Sequence, residues 1–289
     1  MWALASKLAN YNPRLLSTLA CALELFIASA SAEPVDLELV IAADVSRSVT
    51  AQEAALQREG VIQAFRSTDV TRAIEMGALG KIGVVYVDWS SEYINTVVVD
   101  WHVVHDHMTA TMFAEELSRA PLTWGQRTSI SSALVFATEL IETNNLSGTR
   151  RVIDISGDGP NNFGLSLAPV REETIAKGIV INGLPIIMGG NQVIGSGFFP
   201  NIDGYYQRCV IGGTSAFLVV ARGFDDFAVA MRRKLILEIS NRLLPDSTDG
   251  EPLLKRTAGV PGNVQGHPPA AQTVPILRAP ALRAQNCDY

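Results

Sequence analysis

Asp44, Ser46 and Ser48 alternate with Val45 and Arg47 directly after the apolar run Leu37 to Ala43. One carboxylate and two hydroxyls at this spacing put three hard oxygen donors on one short loop, where they can turn toward a common point. Such donors suit Mg²⁺ or Mn²⁺, whereas zinc prefers nitrogen and sulfur. The same residue types cap helices, so Asp44 or Ser48 capping a helix that begins near Ala51 is the competing reading of this pentapeptide. Two further segments carry matching chemistry. Gly125-Gln126-Arg127-Thr128-Ser129 precedes a helical pattern, and Thr128 offers either a hydroxyl ligand or a cap. In Ser156-Gly157-Asp158-Gly159-Pro160-Asn161-Asn162, Asp158 lies between glycines that let the backbone turn sharply. It is either a second carboxylate ligand or a turn-forming Asp, and Asn161 is suited to ordering the same loop.

For these loops to converge they must lie at one end of a common sheet. The run Leu37–Ala43 has the continuous apolar character of a strand buried on both faces. Helical spacing follows over Ala51–Phe65, then two β-rich runs, Lys81–Trp89 and Ile94–Trp101, whose short Ser-Ser-Glu break predicts an antiparallel hairpin. Helices are expected over Ala110–Arg119, Ser129–Ile141, Ala168–Lys177 and Phe224–Leu243, and strands over Arg151–Ile155, Ile179–Leu184 and Ala216–Ala221. This alternation predicts an α/β fold, a doubly wound and mostly parallel sheet with one antiparallel edge strand and helices on both faces. Open sheets of that kind place their sites at the carboxyl ends of the strands.

Outside this region the composition changes. Lys7 and Arg14 precede the apolar segment Leu15 to Ala28, which runs into Ala30-Ser31-Ala32. This pattern predicts a secretory signal peptide over 1–32 and an exported, periplasmic or secreted, mature chain; an uncleaved anchor is the alternative. No other segment is apolar and long enough to span a bilayer. Loss of Lys7, Arg14 and Glu24 takes the net charge from −6 to −7. No basic run interleaves with aromatics, so nucleic acid is not expected as a partner. The mature chain keeps Cys209 and Cys287, which an oxidising compartment would either pair or leave as free thiols. A folded region is expected over 33–244. Residues 245–289, rich in Pro, Ala and Gly, read as a largely disordered tail.

Taken in order, the three loops resemble the von Willebrand factor A-type domain with its metal-ion-dependent adhesion site. The resemblance implies a Rossmann-type three-layer fold. It also implies that Asp44, Ser46, Ser48, Thr128 and Asp158 together hold one divalent cation, directly or through water. It further implies a binding module, not an enzyme, whose cation keeps a position for an acidic residue of a partner protein. The run Arg150-Arg151-Val152-Ile153-Asp154-Ile155-Ser156-Gly157-Asp158-Gly159-Pro160-Asn161-Asn162 is similar to that of an exported bacterial subfamily with this fold and no assigned activity. So are Ile181 to Ile186, Tyr205-Tyr206 before Cys209 to Gly213, and Arg233 to Ile239. The similarity spans Val35 to Leu243; the Ser-Gly before Asp158 departs from the Thr that is commoner there, and the tail matches nothing.

Other chemistry has weaker support. His102, His105, Asp106 and His107 are close enough to suggest zinc and a metal-dependent hydrolase, but no His-Glu-x-x-His helix is present, and surface histidines are the better reading. No Gly-x-Ser-x-Gly elbow marks a serine hydrolase, and the glycines at 189–197 lack the Lys of a phosphate-binding loop. A structural domain whose loops only cap helices is the remaining alternative. Tyr205 and Tyr206 are expected to pack against the sheet, Asp88, Trp89 and Ser90 to end a strand, and Arg232, Arg233 and Lys234 to form the solvated face of the last helix.

Overall fold

The computed structural model describes residues 32–187, 201–241, 276–278 and 287, and the backbone of 193–194 and 197–198. Apart from Ala32, the expected leader lies outside the described residues, as do most of the tail and of the glycine-rich loop at 189–197. Seven strands make one sheet: β1 (Glu33–Asp44), β2 (Ile82–Trp89), β3 (Asn95–Val104), β4 (Leu146–Gly157), β5 (Val180–Pro185), β6 (Phe217–Val219) and β7 (Ile276–Arg278). Their spatial order is β3-β2-β1-β4-β5-β6-β7. β1 and β2 pair in parallel, as do β4 with β5 and β5 with β6, while β2 and β3 form the expected antiparallel hairpin.

The helices are α1 (Ala51–Arg66), α2 (Thr68–Glu75), α3 (His107–Arg119), α4 (Ile130–Thr143), α5 (Leu167–Ala176), the single turn α6 (Ile202–Tyr205) and α7 (Phe227–Ser240). Side chains alternate across the sheet with period two. Leu37, Leu39, Ile41 and Ala43 of β1 join one core with Phe65, Phe113 and Leu235, from α1, α3 and α7. Val40 and Ala42 face the other core, with Leu134 of α4 and Val170 of α5. Both faces are therefore covered, which is why the central strands read as unbroken apolar runs.

Three features differ from expectation, and the pairing of Cys209 with Cys287, left open by the sequence, is settled. α2 was not foreseen; it is short and shares Ser67 with α1, as C-cap of one and N-cap of the other. The tail is not wholly irregular: Ile276–Arg278 pairs antiparallel with β6, so both sheet edges are antiparallel. Cys287 is joined to Cys209, 78 residues away. Cys209 lies in a π-helical turn, Tyr206–Val210, that follows α6. Last, Lys234 is not solvated. It is fully buried, with Nζ 2.6 Å from Asp154 Oδ1 and 3.0 Å from Glu238 Oε1. Asn182 Nδ2 also donates to Glu238 Oε1, at 2.5 Å. Asp154 across the helix–sheet interface and Glu238 one turn along the same helix together outweigh the usual preference of lysine for water.

Candidate metal centre

β1 delivers Asp44 to the carboxyl end of the sheet, and β4 delivers Gly157 and then Asp158 to the same end. Between them the backbone is drawn into a tight loop. Asp44 Oδ1 accepts from the Ser46 amide (2.7 Å), Ser46 Oγ lies 3.1 Å from Ser48 Oγ, and Ser48 Oγ donates to Asp158 Oδ1 (2.7 Å). Four of the residues expected to hold a cation are thus linked in one chain of contacts. None of these four caps a helix, because α1 is capped by Thr50 in a capping box with Glu53. Thr128 is relieved in the same way: Ser129 caps α4, its side chain accepting from the Ser132 amide. Thr128 is buried beside the Asp158 loop, its amide donating to Asn162 Oδ1 (3.0 Å) and its carbonyl accepting from the Asn162 amide (2.9 Å).

The electrostatics of the site are unbalanced. Burial, reinforced by Asp158, pushes the Asp44 carboxyl well above the usual carboxylate range. Burial also raises Asp158, with the Glu53 carboxylate adding to the effect and the Ser48 hydrogen bond opposing it. Asp44 Oδ2 and Asp158 Oδ2 are both buried without a hydrogen-bond partner. Buried polar atoms are nearly always satisfied, so such orphans require an explanation. A divalent cation held by oxygens supplies one: two carboxylates and three hydroxyls are the donor set that Mg²⁺ or Mn²⁺ takes, and the positive charge would reverse the cost of burying the acids.

Several supporting residues were not legible as functional. Gln57, on α1, donates to the Asp44 carbonyl (3.0 Å) and accepts from Ser156 Oγ (3.3 Å), bridging β1 to β4. Asp88 accepts from Arg58 Nη2 (2.8 Å) and Thr123 Oγ1 (2.6 Å), while Arg58 Nη1 donates to the carbonyls of Ala120 and Pro121. That pair anchors the start of the Thr128 loop. Asn161 orders the third loop as expected, its Oδ1 accepting from the Ser131 amide (3.0 Å) and its amide donating to Tyr205 Oη (3.1 Å). Tyr205 Oη in turn donates to the Cys287 carbonyl (3.2 Å). Tyr206 was expected only to pack. It does, fully buried, but its hydroxyl has no partner and faces the acids: a Cβ at Gly157 would stand 2.7 Å from Tyr206 Oη and 2.9 Å from Asp44 Oδ2. The structure marks the position with the π-helical turn that Tyr206 begins, a distortion often found at functional sites and not readable from the sequence.

The histidines serve elsewhere. His102 Nε2 pairs with Glu116 (3.2 Å), His105 with Asp106 (3.5 Å), and Asp106 caps α3. Among the described residues, no group of three or more His, Cys, Asp or Glu is placed to hold a metal. No described helix is long and apolar enough to cross a membrane.

A family model described as "Protein of unknown function (DUF1194)" matches residues 34–243. No curated protein matches significantly. Among solved structures the chain is similar to a von Willebrand factor type A protein from Catenulispora acidiphila, at 15% identity and TM-score 0.50, over 71% of this chain and 43% of that one. It is similar to the pilus adhesin SpaC from Lactobacillus rhamnosus GG at 13% identity and TM-score 0.51, over 72% and 31%. It is also similar to proximal thread matrix protein 1 from the mussel byssus, at 14% identity and TM-score 0.50, over 72% and 49%. The chain thus spans less than half the length of each. At such identities the likeness establishes the fold, a von Willebrand factor A-type sheet with helices on both faces.

Proposed function

The chain belongs to the DUF1194 family, and from that premise we propose that it is an exported module that binds another protein through a divalent cation. Mg²⁺ or Mn²⁺ would be held by Asp44, Ser46, Ser48, Thr128 and Asp158. The observation that carries this reading is the pair of orphaned, buried carboxylate oxygens on Asp44 and Asp158, whose acids are linked through the Ser46 amide and the Ser46 and Ser48 hydroxyls, a relay that no helix cap uses. When bound, the cation supplies a positive centre able to take a carboxylate from a partner. The chain's own residues do the rest: Asp44 and Asp158 neutralise charge, the Ser46 amide fixes the Asp44 carboxylate, and Asn161 and Asn162 hold the second and third loops together. This is binding chemistry, and no catalytic step is required of any residue. The Cys209–Cys287 disulfide supports export, since such bonds persist mainly in oxidising compartments.

The test is a calorimetric Mn²⁺ titration of the disulfide-intact protein beside Asp44→Ala. Binding by the wild type that disappears in a folded Asp44→Ala variant is the expected result. Equal titrations would remove Asp44 from the site, and no heat from either protein would leave a structural domain indifferent to chelators.

A further inference from the structure

Among the described residues the exposed aromatic side chains are Tyr93, Trp124 and Phe163, at 83%, 55% and 36% exposure. All three sit at the metal end of the molecule. Tyr93 is on the tip of the β2–β3 hairpin, Trp124 on the loop that carries Thr128, and Phe163, with the exposed Leu165, on the loop that carries Asp158. These loops are stitched to one another and to the Asp44 loop. Gly125 N donates to the Val45 carbonyl (2.8 Å), Ser129 N to the Ser90 carbonyl (2.6 Å), and Ser90 Oγ to the Arg127 carbonyl (2.6 Å). The Arg127 guanidinium lies over the Phe163 ring, 5.6 Å from its centroid.

The charge exposed on the ligand-bearing loops themselves is basic. On the three ligand-bearing loops, 45–50, 121–129 and 157–166, the exposed charged residues are Arg47 and Arg127, and the one acid, Asp158, is buried. Glu92, on the hairpin tip, and the half-buried Glu53, in the first turn of α1, lie at the same end but outside those loops. Aromatics and arginine with few exposed acids are the composition of a binding hot spot, and are hard to explain as ordinary surface.

We propose that Trp124, Phe163 and Leu165, with Arg47 and Arg127, form a docking rim around the metal centre that selects a peptide segment whose acidic residue is flanked by aromatic or large aliphatic side chains. The acid is directed at the cation and the arginines, and the flanking side chains cover the exposed rings. This rests on the metal-centre reading above. A single-stranded nucleic acid also favours arginine and stacked rings, but two arginines on a chain of net charge −6 make a poor phosphate track.

The experiment is a selection from a random linear peptide library on the immobilised protein, in Mg²⁺ and in EDTA, with a parallel Mn²⁺ titration. Metal-dependent binders should carry Asp or Glu beside Trp, Phe, Tyr or Leu. Trp124→Ala and Phe163→Ala, both surface changes, should each weaken the selected peptide about tenfold or more and leave Mn²⁺ affinity unchanged. Binders with an acid but no apolar neighbour, or indifferent to both substitutions, would overturn the rim. So would a lack of metal-dependent binders from a protein that takes up Mn²⁺, or equal metal-dependent binding of a single-stranded oligonucleotide. A protein that takes up no Mn²⁺ would instead overturn the metal centre on which the rim depends.

Discussion

Replacing Asp44 by Asn should stabilise the chelated protein while abolishing its response to metal. Asp44 is fully buried, and its Oδ1 accepts from the Ser46 amide, a bond that an amide oxygen preserves. The other oxygen has no partner, and neither do Asp158 Oδ2 nor Tyr206 Oη. Asn at this position removes a carboxyl whose ionisation burial opposes and turns one orphan acceptor into a donor among the others. An unsatisfied buried acceptor costs about 1–3 kcal/mol, and satisfying it should return a similar amount. At about 3 °C per kcal/mol for a domain of this size, the melting temperature in EDTA should rise by roughly 3–9 °C. The wild type should gain about 3 kcal/mol from metal at a hundredfold excess over Kd, and the variant nothing. Asp88→Asn is the control of opposite sign, since its carboxylate is already held by Arg58 and Thr123. Removing that charge strands a buried guanidinium and should cost about 3–5 kcal/mol. Thermal melts of the three proteins at one pH, with EDTA and with Mg²⁺, decide the matter. A lower melting temperature for Asp44→Asn in EDTA, or a metal-induced rise that survives in it, would refute the reasoning.

Other consequences can be measured directly. Burial pushes Asp154 from the ordinary 3.8 up to about 7, against the pull of Lys234. The folded chain therefore keeps a proton in that window that the unfolded chain has lost, so stability falls as pH rises through it and then levels, by on the order of 4 kcal/mol. Asp154→Asn should flatten this slope in denaturant titrations at successive pH values; an unchanged slope would contradict the assignment. Gly157→Ala places a methyl 2.7 Å from Tyr206 Oη and should cost about 1–3 kcal/mol, part of it recovered by adding Tyr206→Phe. No recovery in chemical denaturation of the double variant would show that the hydroxyl does not stand there. Cys287→Ser opens a 78-residue loop and should lose about 2–4 kcal/mol, matching the effect of full reduction on the wild type. A reduced wild type that melts like the oxidised protein would disprove this.

The parts of the molecule legible in its sequence are those set by local periodicity. β1 is buried on both faces, so its apolar run declared itself, and the loop after it stood out because an Asp and two Ser directly follow such a run. What stayed hidden depends on residues distant in sequence. Gln57 and Arg58 look like ordinary polar positions on a helix; only the packing of α1 against the sheet turns them toward Asp44 and Asp88. Lys234 was misread because composition cannot show that Asp154 and Glu238 will meet it in the core. The capping ambiguity at Asp44, Ser48 and Thr128 was resolved by caps that fall two residues past Ser48, at Thr50, and one past Thr128, at Ser129, finer than any pattern argument reaches. β7 has three residues in a Pro- and Ala-rich stretch, and only its pairing with β6 marks it as a strand.

The Cys209–Cys287 bond has a further consequence for the integrity of the chain. Every peptide bond between those two residues lies inside a covalent ring that includes β6, α7 and β7. A protease that cut the chain once within that ring would produce two termini but not two molecules. The severed C-terminal piece would stay tethered beside Tyr205 and the Asp158 loop until the disulfide was reduced. If the chain is exported as proposed, this is a form of damage tolerance: a single nick changes connectivity without releasing any part of the molecule.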